Sequence, residues 1–261
     1  MCVLELHDVH YRYPGHTRAA LRGVTWELPA GARVALIGRN GSGKSTLLLH
    51  CNGTLRPDQG EVRLADPHCA TQWGKCRAVS YDRRGLIDLR RHIGLVFQNP
   101  DDQLFSASVA QDISFGPLNL GLSEAEARAR VAEAAALCEV EHLLQRPTHA
   151  LSGGEKTRVA LAGVLAMDPA VLIADEVLAS LDPWIQRQMF DIFERLVHAG
   201  KTVVLATHDL PTALKWADVL AVMHAGQIVA SDAPGRVCAD RAVMQQTGLV
   251  EFVGGAWAIS T

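Results

Sequence analysis

A glycine-rich run between an apolar strand and a helix constrains this chain more than any other stretch. Residues 38–46 read GRNGSGKST and satisfy the pattern G-x-x-x-x-G-K-[ST] at every required position. The apolar run 33–37 predicts a buried strand before it, and residues 46–52 predict a helix after it, ended by Gly53. Such a turn directs backbone N–H groups and a helix N-terminus into one concavity, which favours an anion. We therefore expect this run to bind phosphate and not to be a plain turn.

The residue types in the run predict what each position does. Gly41 and Gly43 allow the backbone to fold back on itself. Lys44 can reach the β- and γ-phosphates of a nucleotide, and the hydroxyl of Ser45 can hold Mg²⁺. The predicted phosphate-binding residues are Gly38, Asn40, Gly41, Ser42, Gly43, Lys44, Ser45 and Thr46.

Composition excludes several classes of protein. The chain has 261 residues, 48% hydrophobic and 20% charged, which suits a globular protein with one large or two small domains. Its net charge is -3 and it has no long Lys/Arg run, so we do not expect it to bind nucleic acid. The apolar stretch near residues 159–167 is too short to span a bilayer. Glu5, His7 and Asp8 interrupt any apolar signal-peptide core.

The cysteines predict a reducing compartment. They lie at positions 2, 51, 69, 76, 138 and 238, and no two form a C-x-x-C pair, so we expect free thiols in the cytoplasm. His68, Cys69 and Cys76 fall in a polar segment rich in turn-forming residues. A metal site there and a scatter of unrelated surface residues both fit the pattern, with the second more frequent.

Alternating strand and helix patterns predict an α/β fold with a largely parallel core sheet. We expect strands at 3–9, 24–28, 61–64, 93–97, 171–174, 202–207, 219–223 and 228–230. Residues 101–168 are mostly helical in pattern and interrupt the strands as an inserted subdomain, with capping boxes at Ser123/Glu126 and Ser152/Glu155. Residues 65–85 have no clear period, and the last thirty residues are too weakly patterned to place.

Four polar residues follow predicted strands, where α/β sheets bind ligands. Asp175 and Glu176 follow the strand 171–174, Gln98 follows 93–97, and His208 follows 202–207. Beside a phosphate loop, Asp175 is placed to hold Mg²⁺. Glu176 is placed to orient or deprotonate an attacking water, a task typically worth ~10²–10⁴ in rate.

A second anion site is predicted at Ser152-Gly153-Gly154, because a hydroxyl and two glycines open a helix there. An ordinary capping box is the simpler interpretation. Two phosphate cradles in one small chain nevertheless favour a head-to-tail pair, in which each nucleotide lies between the phosphate loop of one subunit and the Ser-Gly-Gly helix of the other.

The order of these motifs resembles the ATPase subunit of ATP-binding cassette (ABC) transporters over roughly residues 2–235. The matching features are the loop with Tyr13, the phosphate loop, Gln98, LSGGE at 151–155, VLIADE at 171–176, Ser180-Leu181-Asp182, and His208. The resemblance implies a P-loop NTPase core with N-terminal antiparallel β strands and a helical subdomain at about 101–168, ATP and Mg²⁺ as cofactors, and residues 236–261 as a C-terminal extension.

The same resemblance implies roles for residues. Tyr13 would stack on adenine, although from the residues alone it could equally pack under its loop. Gln98 would sense the metal and the membrane partner and join Ser45 and Asp175 at Mg²⁺. Asp182 would communicate across the dimer, and His208 would contact the γ-phosphate. Glu176, His208, Gln98 and Lys44 are the expected catalytic residues.

A closer resemblance is to energy-coupling-factor ATPases of cobalt/nickel uptake, carried by GLVFQNPDDQLF at 94–105, FGPLNLGL at 115–122 and AGVLAM at 162–167. It implies a second ATPase subunit in a homodimer, a transmembrane scaffold (T) protein, a substrate-binding membrane (S) protein, and a peripheral position on the cytoplasmic face of the membrane. Residues 99–105 would dock on the scaffold. The alternative is a solvated loop with Leu104 and Phe105 tucked under it.

Two other functions compete with transport. Soluble ABC ATPases that act on nucleic acid or ribosomes usually have two cassettes, a coiled-coil insertion or basic extensions, none of which is seen in this sequence. A regulatory nucleotide binder without hydrolysis is disfavoured by Lys44, Asp175, Glu176 and His208. Val177 departs from the family, which usually has proline there. We expect a less rigid turn around Glu176 and slower hydrolysis.

Overall fold

The computed structural model describes residues 2–65, 76–179, 181–253 and 256–259. The chain forms two compact units: unit 1 comprises residues 1–89 and 204–261, and unit 2 comprises residues 90–203. The predicted boundary between residues 235 and 236 stays a prediction. His68, Cys69 and Ser180 lie outside the described residues.

The strands are β1 (Cys2–Tyr11), β2 (Leu21–Pro29), β3 (Arg33–Ile37), β4 (Gln59–Ala65), β5 (Cys76–Ala78), β6 (Ile93–Val96), β7 (Val171–Asp175), β8 (Thr202–Thr207), β9 (Val219–His224), β10 (Gln227–Asp232), β11 (Val250–Val253) and β12 (Ala256–Ile259). The helices are α1 (Lys44–Cys51), α2 (Arg83–His92), α3 (Val109–Asn119), α4 (Glu124–Leu137), α5 (Gly153–Leu165), α6 (Pro183–His198), α7 (Leu210–Trp216), α8 (Pro234–Ala239) and α9 (Arg241–Thr247). Short 3-10 turns lie at Pro100–Asp102, Glu141–Leu143 and Thr148–Ala150.

Unit 1 contains an antiparallel sheet in the order β2-β1-β4-β5. Strand β1 pairs with β4 in the register Leu4↔Leu64 and Leu6↔Val62. These apolar residues are all buried, whereas the residues between them are at least partly exposed. The sheet thus has one face in the core and one face in solvent, as period-two patterning requires.

Unit 1 also contains the phosphate-loop strand in a second sheet. Strand β3 pairs with β9 in parallel, from Val34↔Val219 to Ile37↔Val222, and β10 pairs with β9 antiparallel. All residues from Val34 to Ile37 have zero exposure. A continuous apolar run of this kind is what a strand needs when both faces of its sheet are covered.

Unit 2 is built from two parallel strands and a group of helices. Strand β6 pairs with β7 in the register Ile93↔Val171 and Val96↔Ala174. Helix α5 is buried around most of its circumference, which explains why residues 159–167 are continuously apolar. The capping boxes at Ser123 and Ser152 are both present and confirm those predicted helix starts.

Two stretches differ from the sequence-based expectation. Residues 65–85 were expected to be irregular, but β5 and the start of α2 lie in them. Helix α2 buries only Leu89 among its ten residues and is mostly charged, so the sequence offers few apolar residues from which to predict a helix. The C-terminal residues form α8, α9, β11 and β12, and Val237, Met244 and Leu249 join the core cluster around Ile37.

In the described parts of the chain, no helix is both long and apolar enough to cross a bilayer.

Candidate functional site: a phosphate loop and the carboxyl ends of the strands

The phosphate loop of unit 1 has the backbone geometry that its glycines predict. It joins β3 to α1, with φ 77° at Gly41 and φ 109° at Gly43, in the left-handed region where side chains are strained. Gly43 begins α1 with no side-chain hydrogen bond to the first N–H groups of the helix. The helix N-terminus is therefore arranged to receive an anion.

Close packing beneath the loop explains its first glycine. A Cβ on Gly38 would come 2.3 Å from the backbone oxygen of Met223 and 2.7 Å from Oγ of Ser42. The Nζ of Lys44, on a side chain only 5% exposed, donates to the backbone oxygen of Gly38 at 2.8 Å. This hydrogen bond holds the ammonium group of Lys44 inside the loop. When a nucleotide binds, the ammonium group can donate to a phosphate oxygen in place of the Gly38 oxygen.

Ser42 carries the clearest sign of a ligand in this loop. Its side chain is 5% exposed, and its Oγ has no hydrogen-bond partner within the described part of the chain. A buried hydroxyl without a partner is costly. A phosphate oxygen in the loop would supply the partner, so these residues fit the triphosphate of a nucleotide. Ser45, exposed in the first turn of α1, offers the hydroxyl oxygen that Mg²⁺ prefers.

Tyr13 is held in place beside this loop. Its hydroxyl and Oγ1 of Thr46 lie 3.2 Å apart, and its ring packs edge-on against Tyr11 at 5.0 Å. Tyr11 in turn packs against His50, whose Nδ1 lies 2.7 Å from the backbone oxygen of Thr46. Burial lowers the pKa of His50, so the ring beneath the tyrosines is neutral. Tyr11 and His50 support the site but were not predicted from the sequence. The i, i+4 spacing of Thr46 and His50 on α1 is a sequence pattern that could have indicated their contact.

His208 completes the predicted residues of unit 1. It is exposed directly after β8. The next residue, Asp209, begins α7 by accepting from the backbone N–H of Thr212, and its own backbone N–H donates to Oγ1 of Thr207 at 3.0 Å. The imidazole thus stands at a turn that is fixed on both sides.

In unit 2, Gln98 and the two carboxylates leave the parallel strands at the same level. The register Val96↔Ala174 places Gln98 and Glu176 two residues beyond paired positions. Asp175 ends β7 and is 7% exposed, whereas Glu176 is half-buried with φ 48°. The carboxylate of Asp175 provides a hard oxygen ligand suited to Mg²⁺.

The Ser-Gly-Gly segment of unit 2 opens α5. Ser152 Oγ accepts from the N–H of Glu155 at 3.4 Å, and the Glu155 carboxylate accepts from the N–H of Ser152 at 2.7 Å. Hydrogen bonds from Ser152 lower the pKa of Glu155, which keeps the capping carboxylate ionised. A Cβ added to Gly153 would meet no atom within 4 Å, but one on Gly154 would lie 2.4 Å from Cδ1 of Ile185. The first glycine therefore faces open space and the second faces α6.

Asp182 is the N-cap of α6 and accepts from the N–H groups of Trp184 and Ile185 at 3.0 and 3.1 Å. It is exposed, as a residue that reaches another subunit would have to be. Of the predicted site residues, unit 1 contains Tyr13, Gly38, Asn40, Gly41, Ser42, Gly43, Lys44, Ser45, Thr46 and His208, and unit 2 contains Gln98, Ser152, Gly153, Gly154, Asp175, Glu176 and Asp182.

The loop after Gln98 differs from its predicted surface in one respect. Residues 99–105 were expected to form a docking surface, but Gln103 within them faces inward: its Oε1 accepts from Phe97 N–H at 3.1 Å and its Nε2 donates to the backbone oxygen of Ala160 at 2.9 Å. Leu104 is half-buried, whereas Phe105 is 65% exposed. The amide of Gln103 therefore belongs to the interior of unit 2, because its side chain satisfies two backbone groups.

Comparison with known proteins places this chain in a family. The family model for ABC transporters matches residues 21–179. The chain belongs to that family and is an ATPase whose hydrolysis is coupled to transport. Within the family it is of the energy-coupling-factor type.

Individual relatives cover nearly the whole chain. The cobalt import ATP-binding protein CbiO of Rhodobacter capsulatus is 47% identical over 95% of this chain and 84% of its own length. The energy-coupling factor transporter ATP-binding protein EcfA of Methanocaldococcus jannaschii is 41% identical over 95% of this chain and 85% of its own.

Solved structures give the same fold. The cbiO1 protein of Clostridium perfringens, described as part of the ABC transporter complex cbiONQ, is 39% identical with a TM-score of 0.77 and covers 95% of both chains. A dimeric ATP-binding cassette in a post-hydrolysis state, bound to ADP and Pi, is 25% identical with a TM-score of 0.77 over 88% of this chain and 98% of its own.

Proposed function

We propose that this chain is the ATP-hydrolysing motor of an energy-coupling-factor importer that takes up a transition metal ion, cobalt or nickel. The observation that carries the proposal is the phosphate loop, whose buried Ser42 hydroxyl has no partner among the described residues, in a chain 47% identical to a cobalt import ATPase. Cobalt rests on that relative's name, and nickel rests on the resemblance of residues 94–105, 115–122 and 162–167 to cobalt/nickel uptake ATPases, because the motor subunit itself need not touch the transported ion.

The phosphate loop holds the nucleotide in this proposal. Backbone N–H groups at Gly41 and Gly43, the Ser42 hydroxyl and the Lys44 ammonium bind the phosphates, with Asn40 and Thr46 beside them. Tyr13 stacks on adenine, a contact worth ~0.5–1.5 kcal/mol beyond area burial. Its bond to Thr46 fixes the ring before the base arrives, which lowers the entropy lost on binding.

Ser45, Asp175 and Gln98 are the residues that would hold Mg²⁺. Bound there, the ion would neutralise charge that develops on the phosphate oxygens during phosphoryl transfer. Glu176 orients and deprotonates the attacking water, and His208 donates to the γ-phosphate. The positive φ of Glu176 turns this residue out of the direction of β7, so that it does not project as the next residue of the strand would.

Each nucleotide is completed by a second copy of the chain. Gly153, at the start of α5, faces open space. The Ser152 hydroxyl and the first N–H groups of that helix can therefore reach a phosphate of the nucleotide bound to the partner subunit. Because Gly154 has no side chain, α5 can pack closely against α6. Asp182, the N-cap of α6, extends the surface that contacts the partner subunit. The related dimeric cassette bound to ADP and Pi supports this arrangement. ATP closes the pair and hydrolysis reopens it.

An exposed aromatic pair supports the proposed membrane contact. Phe105 and Phe115 lie edge to face at 4.7 Å and are 65% and 49% exposed. The buried carboxylate of Asp112 accepts from the N–H groups of Phe105 and Ser106 at 3.0 and 2.7 Å, so the loop that presents Phe105 is fixed. Fixed, exposed aromatic rings are typical anchors of protein interfaces.

These rings would pack against apolar helices of a transmembrane scaffold protein, which joins the motor to a substrate-binding membrane protein. The ATPase would then sit peripherally on the cytoplasmic face of the membrane, without a nucleic-acid partner. The competing function, a soluble ABC ATPase that acts on nucleic acid or ribosomes, gives no reason for this aromatic pair.

Metal uptake and ATP hydrolysis measured together test the proposal. The complex is purified with the membrane proteins that co-purify with the chain and is reconstituted in vesicles, and uptake of labelled Co²⁺ and Ni²⁺ is measured beside ATPase rate. Phe105→Ala with Phe115→Ala should reduce uptake by tenfold or more at unchanged ATPase rate of the isolated chain. Removal of interface anchors costs ~2 kcal/mol or more, about 30-fold in affinity.

Ile87→Ala is the matched control, because Ile87 is also exposed, at 38%, but lies on α2. It should retain uptake. If no membrane protein co-purifies, or if uptake in the double variant stays proportional to hydrolysis, transport coupling through this surface is wrong. Uptake of neither ion by an active complex would instead retain the motor and reject the metal substrate.

A further inference from the structure

A cluster of two thiols and a carboxylate lies in unit 1, away from the phosphate loop. Sγ of Cys2, Sγ of Cys76 and a carboxylate oxygen of Glu5 all lie within 4.8 Å of one another, and all three residues are half-buried. Neither ATP binding nor hydrolysis uses any of them. Sulfur and carboxylate ligands at this separation are the donors that zinc-like divalent ions select.

The antiparallel sheet brings these side chains together from separate strands. Glu5 pairs with Arg63 and Arg63 pairs with Ala78, while Ala65 pairs with Cys76. Directly paired residues share a face, and so do residues two apart on one strand. Glu5 and Cys76 therefore project from the same face of the sheet, opposite the buried leucines of β1.

Cys2 reaches this face through an irregularity in β1. The register between β1 and β2 shifts between Cys2 and Leu4. With regular alternation Cys2 would share the buried side of Leu4. The shift redirects it, and its thiol donates to the backbone oxygen of Leu4 at 2.9 Å.

A second layer of contacts orients the carboxylate. Nε2 of His7 lies 3.0 Å from a carboxylate oxygen of Glu5. That hydrogen bond is the first cause of a lowered pKa of Glu5, and a hydrogen bond with Cys76 adds to the same effect. Histidine–carboxylate pairs commonly set the orientation of metal ligands.

We propose that Cys2, Glu5 and Cys76 form a binding site for a zinc-like divalent metal ion, with His7 orienting Glu5. Three protein ligands of the set S, S, O and one water complete the four-coordinate shell that zinc favours. Ligand atoms bound to such an ion at ~2.0–2.3 Å lie roughly 3.5 Å apart, so the observed cluster needs only a small contraction. The half-buried position leaves a path from solvent.

A hydrogen-bonded cluster and a reactive dithiol are the other interpretations. Burial, followed by the effects of neighbouring Glu5 and Cys2, raises the pKa of Cys76 to about 12, and burial also raises the pKa of Cys2. Protonated thiols are poor nucleophiles, which disfavours a redox pair. The same raised pKa values mean that a bound ion must displace both thiol protons, so the affinity of the site for the ion falls as pH falls.

Co²⁺ titration of the full-length, nucleotide-free, reduced protein tests the site. Thiolate ligation gives a sulfur-to-cobalt charge-transfer absorption in the near ultraviolet, which an oxygen site at the nucleotide does not give. We expect this band in the wild type, bleaching of it by Zn²⁺, a weaker band in Cys2→Ser and Cys76→Ser, and none in the double variant. His7→Ala should weaken Co²⁺ binding by about 10–100-fold.

Cys238→Ser is the matched control, because Cys238 is another half-buried cysteine of unit 1. It should leave the band unchanged, and circular dichroism of every variant without metal shows whether the fold is retained. A wild type without the band, or a band that persists in the double serine variant, overturns the proposal. So does a Cys2–Cys76 disulfide in air combined with no cobalt band in the reduced protein.

Discussion

The two glycines that open α5 should respond oppositely to alanine. Gly→Ala in a helix gains about 0.5–1 kcal/mol, since alanine loses less conformational entropy on folding. At Gly153 the added methyl meets no atom within 4 Å, so the free energy of unfolding of Gly153→Ala should increase by this amount. At roughly 2–4 °C per kcal/mol, the melting temperature should rise by about 1–4 °C.

At Gly154 the same methyl would lie 2.4 Å from Cδ1 of Ile185, well inside van der Waals contact. Overpacking of this kind costs about 1–3 kcal/mol, which outweighs the helix gain. Gly154→Ala should therefore lower the melting temperature. Ile185→Val removes the clashing carbon and should restore stability in the double variant, although Ile185→Val alone costs about 0.5–1.5 kcal/mol.

The assay is differential scanning calorimetry of the four variants, read as a double-mutant cycle between Gly154 and Ile185. A Gly154→Ala protein as stable as Gly153→Ala, or no rescue by Ile185→Val, would refute the packing argument.

The effect of Gly153→Ala on dimerisation should differ in sign from its effect on stability. In sedimentation of a Glu176→Gln background, Gly153→Ala should weaken the ATP-driven dimer despite its higher stability, because its methyl occupies the space proposed for the partner's phosphate.

The remaining predictions concern single carboxylates. Glu176→Gln should retain ATP binding while turnover falls by ~10²-fold or more, measured as phosphate release; near-normal release would remove Glu176 from the role of base. Hydrogen bonds from Arg33, at 2.6 Å to Oδ1, lower the pKa of Asp218 below 3.8 in the fold. The resulting stability is present above pH 3.8 and is lost as pH falls through the folded pKa. In a plot of melting temperature against pH, Asp218→Asn should therefore show a smaller fall in melting temperature on the acid side than the wild type. An equal fall in the two proteins would contradict this.

The sequence predicted those parts of the site that depend on local chemistry. A glycine-rich turn between a strand and a helix, and a serine followed three residues later by a glutamate, are each specified within a few residues, so the phosphate loop and the capping box at Ser152 were found. Strand ends were also accessible, because Asp175 follows a run of buried apolar residues.

Features that depend on distant contacts were not predictable in this way. Gln103 satisfies backbone groups of Phe97 and Ala160, and the second of these is 57 positions away. The cluster of Cys2, Glu5 and Cys76 needs a sheet register that no short pattern specifies. Helices α8 and α9 bury few residues each, so their apolar period was too weak to recognise although they cover the core near Ile37.

The turn after Asp175 illustrates how a departure from the family pattern can be compensated. Glu176 has φ 48°, a conformation that costs a non-glycine residue about 1–2 kcal/mol. Glycine would remove that cost but would also remove the carboxylate. Val177, at the usual proline position, is 2% exposed, and full burial of a valine contributes about 1.5–3 kcal/mol. The backbone N–H of Ala179 also donates to the oxygen of Glu176 at 3.2 Å, which closes the turn. Burial of the valine side chain and this hydrogen bond can therefore offset the strain at Glu176 without the ring constraint of proline.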